Sequence, residues 1–204
     1  STLLLPGSWD DLTYQMTVPL RWSQAGKAAV FHDLPYSGFP GAPQLINTML
    51  IATGGIIAPR IMQWVIYFIL FWSIAQLVRR SGKIAAPALL FAFILSPINL
   101  VMLKNTYAEP YMLVSLTSTL MLIKARRSSS LRGVFVLLGI CAGFAVAVKL
   151  TGAAIASVIL ILGYFRLRDR IDNVIIPIAS FGLAGILFGF MFYLRPFIFT
   201  GNPL

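Results

Sequence analysis

The 204-residue sequence is 58% hydrophobic and only 11% charged, with 16 lysines and arginines against six acids and a net charge of +10. A soluble domain carries about 25% charged residues, so this composition excludes an ordinary water-soluble fold. The basic residues stand in small groups between long apolar runs, a pattern that argues against a nucleic-acid partner. A single cysteine excludes an intramolecular disulfide framework and a cysteine-based zinc site.

Residues 1–59 are predicted to form an external loop. Residues 1–43 carry several charges, and residues 33–43 contain three prolines and two glycines, which is typical of turns. Residues 11–25 and 44–53 each have the mixed polar and apolar pattern of a helix lying along the membrane interface. An alternative that makes residues 44–58 a short span stays open, although two glycines and a proline interrupt this segment or follow it closely.

Uncharged intervals predict six transmembrane helices in residues 60–204. Three intervals hold 18, 20 and 22 uncharged residues, within the roughly 17–25 that cross a hydrocarbon core. Three more hold 14, 16 and 16, and the methylene stems of flanking lysines and arginines lengthen them. The predicted spans are 61–80, 84–103, 110–124, 131–148, 150–166 and 173–194. The predicted fold class is therefore an all-α membrane protein, with six spans preceded by an external loop that carries interfacial helices.

Alternation of these spans divides the basic residues unequally between the two sides of the membrane. Ten fall on one side: Arg79, Arg80, Lys83, Lys124, Arg126, Arg127, Arg132, Arg166, Arg168 and Arg170. The other six share the opposite side with four of the six acids. Because lysine and arginine collect in cytoplasmic loops, the side with ten is predicted to be cytoplasmic, and residues 1–59 are predicted to lie outside.

Two adjacent carboxylates, Asp10 and Asp11, follow Trp9 in the external loop and are the first candidates for catalysis. Like charges resist joint ionisation, so one of the two can accept a proton as a general base while its neighbour holds a cation or a substrate hydroxyl. Acids in this place are equally typical of a helix start, where they cap backbone N–H groups. Both interpretations stay open.

Glu109 and Lys149 are two further candidates. Glu109 begins a predicted span and is followed by Pro110, which is also ordinary chemistry for a helix start. Lys149 separates two apolar runs of 16 residues. An outward-facing lysine at headgroup level is suited to bind a lipid phosphate. It can equally anchor the helix end, with its methylene stem in the bilayer and its charge at the interface.

Two stripes of glycine are predicted to be packing faces between helices. Gly139 and Gly143 form a small-xxx-small motif, and a second stripe contains Gly182, Gly185 and Gly189. Small residues at this spacing let the backbones of two membrane helices approach closely.

Several short motifs follow one another in an order that resembles a known family. They are Trp9-Asp-Asp-Leu-Thr-Tyr14, Pro19-Leu-Arg-Trp22, Leu34-Pro-Tyr-Ser-Gly-Phe-Pro40, Thr106-Tyr-Ala-Glu109, Val148-Lys-Leu-Thr-Gly152 and Thr200-Gly-Asn-Pro203. This succession resembles the integral-membrane GT-C glycosyltransferases, and among them the family 39-like members related to protein O-mannosyltransferases and the lipid A aminoarabinose transferase. The resemblance covers nearly the whole chain.

The resemblance implies an inverting transfer of a sugar from a polyprenyl-phosphate carrier to an acceptor on the outer side of the membrane. The family's proposed base maps onto Asp10, with Asp11 as its neighbour. Glu109 then binds substrate or a metal ion, and Lys149 lies near the carrier phosphate, where a fixed cation stabilises the charge that develops on the leaving group.

The resemblance also implies partners and a location. Tyr14 and Arg60 are expected to bind substrate, and a divalent cation is a candidate cofactor. The expected partners are a polyprenyl-phosphate-linked sugar, a lipid, glycan or protein acceptor, membrane lipids and, as a candidate, another subunit of a membrane complex. The expected location is a bacterial inner membrane, with the first loop on the periplasmic side.

Departures from the family pattern keep other functions open. Many relatives have histidine where this chain has Gln15, and the expected span before Trp9 and the later spans are missing. We therefore expect the chain to be the N-terminal half of a longer protein. A non-catalytic, glycosyltransferase-like subunit is the main alternative. A transporter is a third class, although it needs polar residues near the midplane of the spans.

Overall fold

The computed structural model describes residues 8–39, 41–79, 96–125, 131–168 and 175–201. Every regular element in these ranges is helical, which confirms the predicted all-α class. The chain divides into two compact units, one formed by residues 1–38 and 43–110 and the other by residues 39–42 and 111–204.

The first unit begins with short helical segments. A π-helical turn, Asp11–Gln15, leads into α1, Thr17–Ala25, and a 3-10 turn follows at Pro35–Gly38. Next come α2, Ala42–Gly54, and α3, Ala58–Val78. The eight-residue helix α4 spans Pro97–Lys104. The two helices predicted in the first loop are therefore present, the first of them with a π-helical turn in place of a regular start.

The second unit contains most of α5, Glu109–Ala125, together with α6, Leu131–Val148, α7, Gly152–Leu167, and α8, Ile175–Thr200. Its core is formed by apolar side chains of α5, α6 and α7, and Phe135, Leu138 and Ile159 are fully buried there. The buried hydroxyl groups of α5 donate to carbonyls of their own helix; Thr119 Oγ1, for example, lies 2.9 Å from Ser115 O. These polar groups are thus satisfied within apolar surroundings.

Among the described residues, three helices are long and apolar enough to cross a membrane: α3 with 21 residues, α6 with 18 and α8 with 26. They correspond to the predicted spans 61–80, 131–148 and 173–194. Many of their large apolar side chains are exposed, among them Phe68 and Trp72 on α3 and Ile186, Met191 and Ile198 on α8. Exposed apolar faces of this extent suit contact with lipid or with further membrane helices.

The remaining predicted spans have weaker support. Helices α5 and α7 lie at the predicted places but have only 17 and 16 residues, and most of the span predicted at 84–103 lies outside the described residues. The alternative span at 44–58 does not form as one helix. Helix α2 ends at Gly54 after 13 residues, a length of about 20 Å, and this is short for a hydrocarbon core of roughly 30 Å.

Glycines bring α6 and α8 into backbone contact. A Cβ atom added at Gly143 would lie 2.5 Å from the carbonyl oxygen of Gly185, and one added at Gly139 would lie 2.3 Å from Phe181 O. Gly189 in turn faces the Gly143 carbonyl. The predicted packing role of both stripes is therefore confirmed, except at Gly182, where an added Cβ meets nothing within 4 Å.

Helix α8 continues to Thr200, past the predicted end of the span at residue 194. Pro196 lies inside the helix, where it removes one backbone N–H, and membrane helices tolerate this loss. Arg195 extends from the helix, and its Nη2 donates to Phe39 O at 2.8 Å. The helix thus extends beyond the predicted span, and the charge of Arg195 is bound by a backbone carbonyl of the same unit.

Candidate functional site

The helical turn that carries both aspartates is capped by a serine. Ser8 Oγ accepts a hydrogen bond from Asp11 N at 3.2 Å, and Asp10 makes no side-chain cap bond. The capping role considered for the aspartates therefore belongs to Ser8, and both carboxylates are directed elsewhere.

Asp11 is buried, with 1% of its surface exposed. Its Oδ1 accepts hydrogen bonds from Thr106 N at 2.9 Å and from the Thr106 hydroxyl. Its Oδ2 lies 3.8 Å from Nη2 of Arg60, a residue that is also buried. Asp11 therefore joins the first loop to α3 and to the segment just before Glu109, across 95 residues of sequence. This arrangement favours a positioning role for Asp11.

Asp10 has a different environment from its neighbour. It is partly exposed, and its Oδ2 accepts a hydrogen bond from the Tyr14 hydroxyl at 3.1 Å, one helical turn further along. A carboxylate held in this way keeps Oδ1 for another donor. Of the two aspartates, Asp10 is thus the one whose carboxylate is accessible from outside the protein.

Burial raises the pKa of Tyr14 to about 12, and the charge of Asp10 adds to the effect, with a smaller contribution from Glu109. The phenol therefore keeps its proton, and its hydrogen bond to Asp10, throughout the physiological pH range.

The raised pKa of Tyr14 predicts a specific alkaline transition. The folded protein holds this proton more tightly than the unfolded chain, where a tyrosine has a pKa of about 10. The corresponding stabilisation is complete below pH 10 and is lost as the pH rises towards 12. Titration of phenolate absorbance, taken as wild type minus Tyr14→Phe, should give an apparent pKa near 12. A difference curve centred near the unperturbed value would contradict the buried, hydrogen-bonded geometry.

Gln15 holds α2 against the start of the chain. Gln44 Nε2 donates to Gln15 Oε1 at 2.9 Å, and Asn47 Nδ2 donates to Gln15 O at 3.3 Å. That carbonyl is available because Pro19, four residues later, has no N–H to donate. The polar side of α2 is consequently buried against the protein, whereas the sequence had predicted an interfacial helix from the same residues. Gln15, where many members of the resembled family have histidine, is itself 1% exposed.

The acids of the described ranges do not assemble into a metal site. Within the ranges that the structure describes, no group of three or more histidine, cysteine, aspartate or glutamate side chains could hold an ion. Asp11 already directs its two oxygens at Thr106 and Arg60. Glu109 begins α5 and is partly buried. This donor set does not fit the divalent cation considered from the resemblance, and no step of the proposed reaction runs through a metal.

Lys149 lies in the second unit, in the turn between α6 and α7, and is exposed. The turn is closed by a hydrogen bond from Gly152 N to Lys149 O at 2.8 Å. A Cβ atom at Gly152 would lie 1.9 Å from Ala145 O, so this position requires glycine. Since Lys149 belongs to a different unit from the aspartates, its place beside the carrier phosphate stays a prediction.

The structure brings together four of the six predicted site residues in the first unit: Asp10, Asp11, Tyr14 and Arg60. Glu109 belongs to the same unit, at its boundary with the second. Two further residues contribute to this cluster and are not predicted from the sequence: Thr106, which binds Asp11, and Tyr36, whose ring lies 5.2 Å from that of Tyr14. Thr106 belongs to the motif Thr106-Tyr-Ala-Glu109, but nothing in the local sequence links it to Asp11.

Comparison with protein-family models, with curated proteins and with solved structures finds no match to this chain. The likeness to GT-C glycosyltransferases therefore depends on the sequence motifs.

Proposed function

We propose that this chain belongs to a membrane-embedded GT-C glycosyltransferase that uses a polyprenyl-phosphate sugar as donor, with Asp10 as the general base. The observation that supports it is the contact of Asp11 with Thr106 and Arg60. This contact places the first-loop motif and the Thr106–Glu109 motif in one unit, although they lie far apart in sequence. Asp10 stays partly exposed beside that contact.

The proposed reaction follows from the exposure of Asp10. Its carboxylate takes the proton of an acceptor hydroxyl while the acceptor oxygen forms a bond to the anomeric carbon. The bond from that carbon to the carrier phosphate breaks on the opposite face, and its electron pair leaves with the phosphate. Asp11 fixes the turn that carries Asp10, and Tyr14 orients the carboxylate. Lys149 is proposed to stabilise the departing phosphate.

The proposal includes six spans and an outward-facing first loop in a bacterial inner membrane. Three helices of sufficient length and apolarity support the membrane location. The unequal distribution of lysine and arginine supports the orientation. The acceptor then reaches Asp10 from the periplasmic side.

The test is transfer from a panel of radiolabelled polyprenyl-phosphate hexoses and pentoses to a panel of lipid, glycan and peptide acceptors, by protein in lipid nanodiscs. Asp10→Asn removes the base and is expected to lower the turnover roughly 10²–10⁴-fold, the usual contribution of general base catalysis. Asp33→Asn is the matched control, because Asp33 is an exposed acid of the same loop that pairs only at the surface with Arg21. Its turnover should stay close to that of the wild type. Equal turnover by the Asp10 variant would refute the base assignment.

A non-catalytic subunit is the second candidate, and Gln15 is the observation that favours it. Its side chain is buried and bonded to Gln44, so it is not placed to bind a substrate. Absence of transfer by the wild-type protein with every donor of the panel would support this candidate over the transferase.

A further inference from the structure

Three aromatic rings, here called the aromatic patch, follow one another in contact from Trp9 through Tyr36 to Tyr14, and the hydroxyl of Tyr14 connects them to Asp10. The Trp9 ring meets Tyr36 edge-on, with centroids 5.8 Å apart and planes at 82°. Tyr36 in turn lies 5.2 Å from Tyr14, whose hydroxyl binds Asp10. Trp9 is 63% exposed, so the patch presents an accessible indole at one end, while Tyr14 at its other end bonds the Asp10 carboxylate.

Both sides of the aromatic patch are held in place. Trp9 and Tyr14 stand on the helical turn that Asp11 anchors through Thr106. Tyr36 belongs to the 3-10 turn, where the Ser37 hydroxyl donates to Phe31 O at 3.1 Å and accepts from Phe31 N at 2.8 Å. The two backbone segments that carry the rings are therefore held before any ligand arrives, and preorganisation of this kind favours binding.

We infer that the aromatic patch binds the pyranose ring of a carbohydrate acceptor, one of whose hydroxyl groups donates to Asp10. This inference rests on the proposed function and names the class of its acceptor. The C–H groups on one face of a pyranose carry partial positive charge and pack on the electron-rich faces of aromatic rings. The hydroxyl groups at its rim are donors for a carboxylate.

Other ligands fit the same surface less well. The Asp10 carboxylate repels the phosphate of the carrier, and it is costly to desolvate beneath an acyl chain. A serine or threonine acceptor of a protein offers a hydroxyl but no broad C–H face for the rings. A neutral, polyhydroxylated ring can contact both the aromatic rings and the Asp10 carboxylate. Small-molecule pockets usually combine apolar surface with a few polar groups in this way.

The inference can be tested without transfer activity, by protection of Trp9 from acrylamide. The protein is placed in nanodiscs of phosphatidylcholine and phosphatidylglycerol, and the Trp9 signal is the fluorescence of the wild type minus that of Trp9→Phe. A panel of methyl hexopyranosides and pentopyranosides should include a sugar that protects Trp9 saturably. Tyr36→Ala should weaken that binding roughly three- to tenfold, the scale of one aromatic contact, and Tyr36→Phe should retain it. Trp64, an exposed residue of α3, is the control. Its signal, the fluorescence of the wild type minus that of Trp64→Phe, should show no protection.

Three results would overturn the inference. One is equal quenching of Trp9 with and without every glycoside. Another is quenching of Trp9 by lipids brominated on their acyl chains, which would identify a membrane anchor. A third is protection by a polyprenyl-phosphate sugar alone, which would assign the patch to the donor. Protection by a glycoside together with unchanged transfer by Asp10→Asn would keep the carbohydrate site and refute the base assignment, so the two proposals fail separately.

Discussion

Asp11→Asn is expected to destabilise the first unit by about 3 kcal/mol, the scale of a broken buried ion pair. Asparagine keeps an oxygen for Thr106 but removes the negative charge that faces Arg60 at 3.8 Å. Both residues of the pair are almost fully buried, so water does not reach the Arg60 guanidinium to compensate for the lost carboxylate. The measurement is the temperature at which purified protein loses its monodisperse size-exclusion peak.

Asp10→Asn is the matched control for this experiment. It makes the same chemical change one residue earlier, at a partly exposed side chain, and should leave the midpoint close to that of the wild type. The double variant Asp11→Asn with Arg60→Met removes both charges of the pair and should recover part of the lost stability, because no buried guanidinium then faces the neutral amide. Equal midpoints for the Asp10 and Asp11 variants, or no recovery in the double variant, would contradict the buried pair.

Gly143→Ala is expected to destabilise the second unit by about 1–3 kcal/mol, the usual cost of overpacking. The added Cβ would lie 2.5 Å from Gly185 O and 3.0 Å from the Cβ of Phe188. Because the nearest atom is backbone, α6 and α8 must separate to accommodate it. The readout is Cys141, which lies two residues before the substitution and is only partly exposed. Its labelling by a thiol reagent should begin at a lower temperature than in the wild type.

The same chain supplies a control for this substitution. Gly182→Ala changes glycine to alanine on the partner helix, where the new methyl group meets nothing within 4 Å. Alanine favours a helix interior by roughly 0.5–1 kcal/mol over glycine, so the temperature of Cys141 labelling should be unchanged or raised. Identical behaviour of the two variants would show that the contact between α6 and α8 does not limit stability.

Much of the helical framework could be predicted from the sequence because charge is costly inside a membrane. The predicted span 131–148 coincides with α6, Leu131–Val148, and the glycine spacing predicts that α6 and α8 each have a face for helix packing. Helix α8 extends beyond the predicted span at Arg195, whose guanidinium binds the backbone carbonyl of Phe39. That contact depends on tertiary structure, which local spacing does not encode.

The site was less predictable than the helices. Because Asp10 and Asp11 are adjacent in sequence, they are predicted to act as one pair. In the structure Asp11 is buried, whereas Asp10 is partly exposed. The difference comes from Thr106, 95 residues away, and a partner at that separation leaves no local signal. In the sequence, Gln15 is distinguished only as a departure from a family pattern. Its contacts with Gln44 and Asn47 arise from the packing of α2 and were not predictable from composition.

The most direct test of the proposed mechanism is chemical rescue of Asp10→Gly by formate. Removing the side chain opens a space beside Tyr14 that a small carboxylate can enter, and formate can then accept the proton of the acceptor hydroxyl. We predict that formate restores sugar transfer by this variant in a concentration-dependent and saturable manner, while leaving the wild type unchanged. A folded Asp10→Gly protein that transfers sugar at the wild-type rate, or that stays inactive at every formate concentration beside an active wild type, would contradict Asp10 as the base.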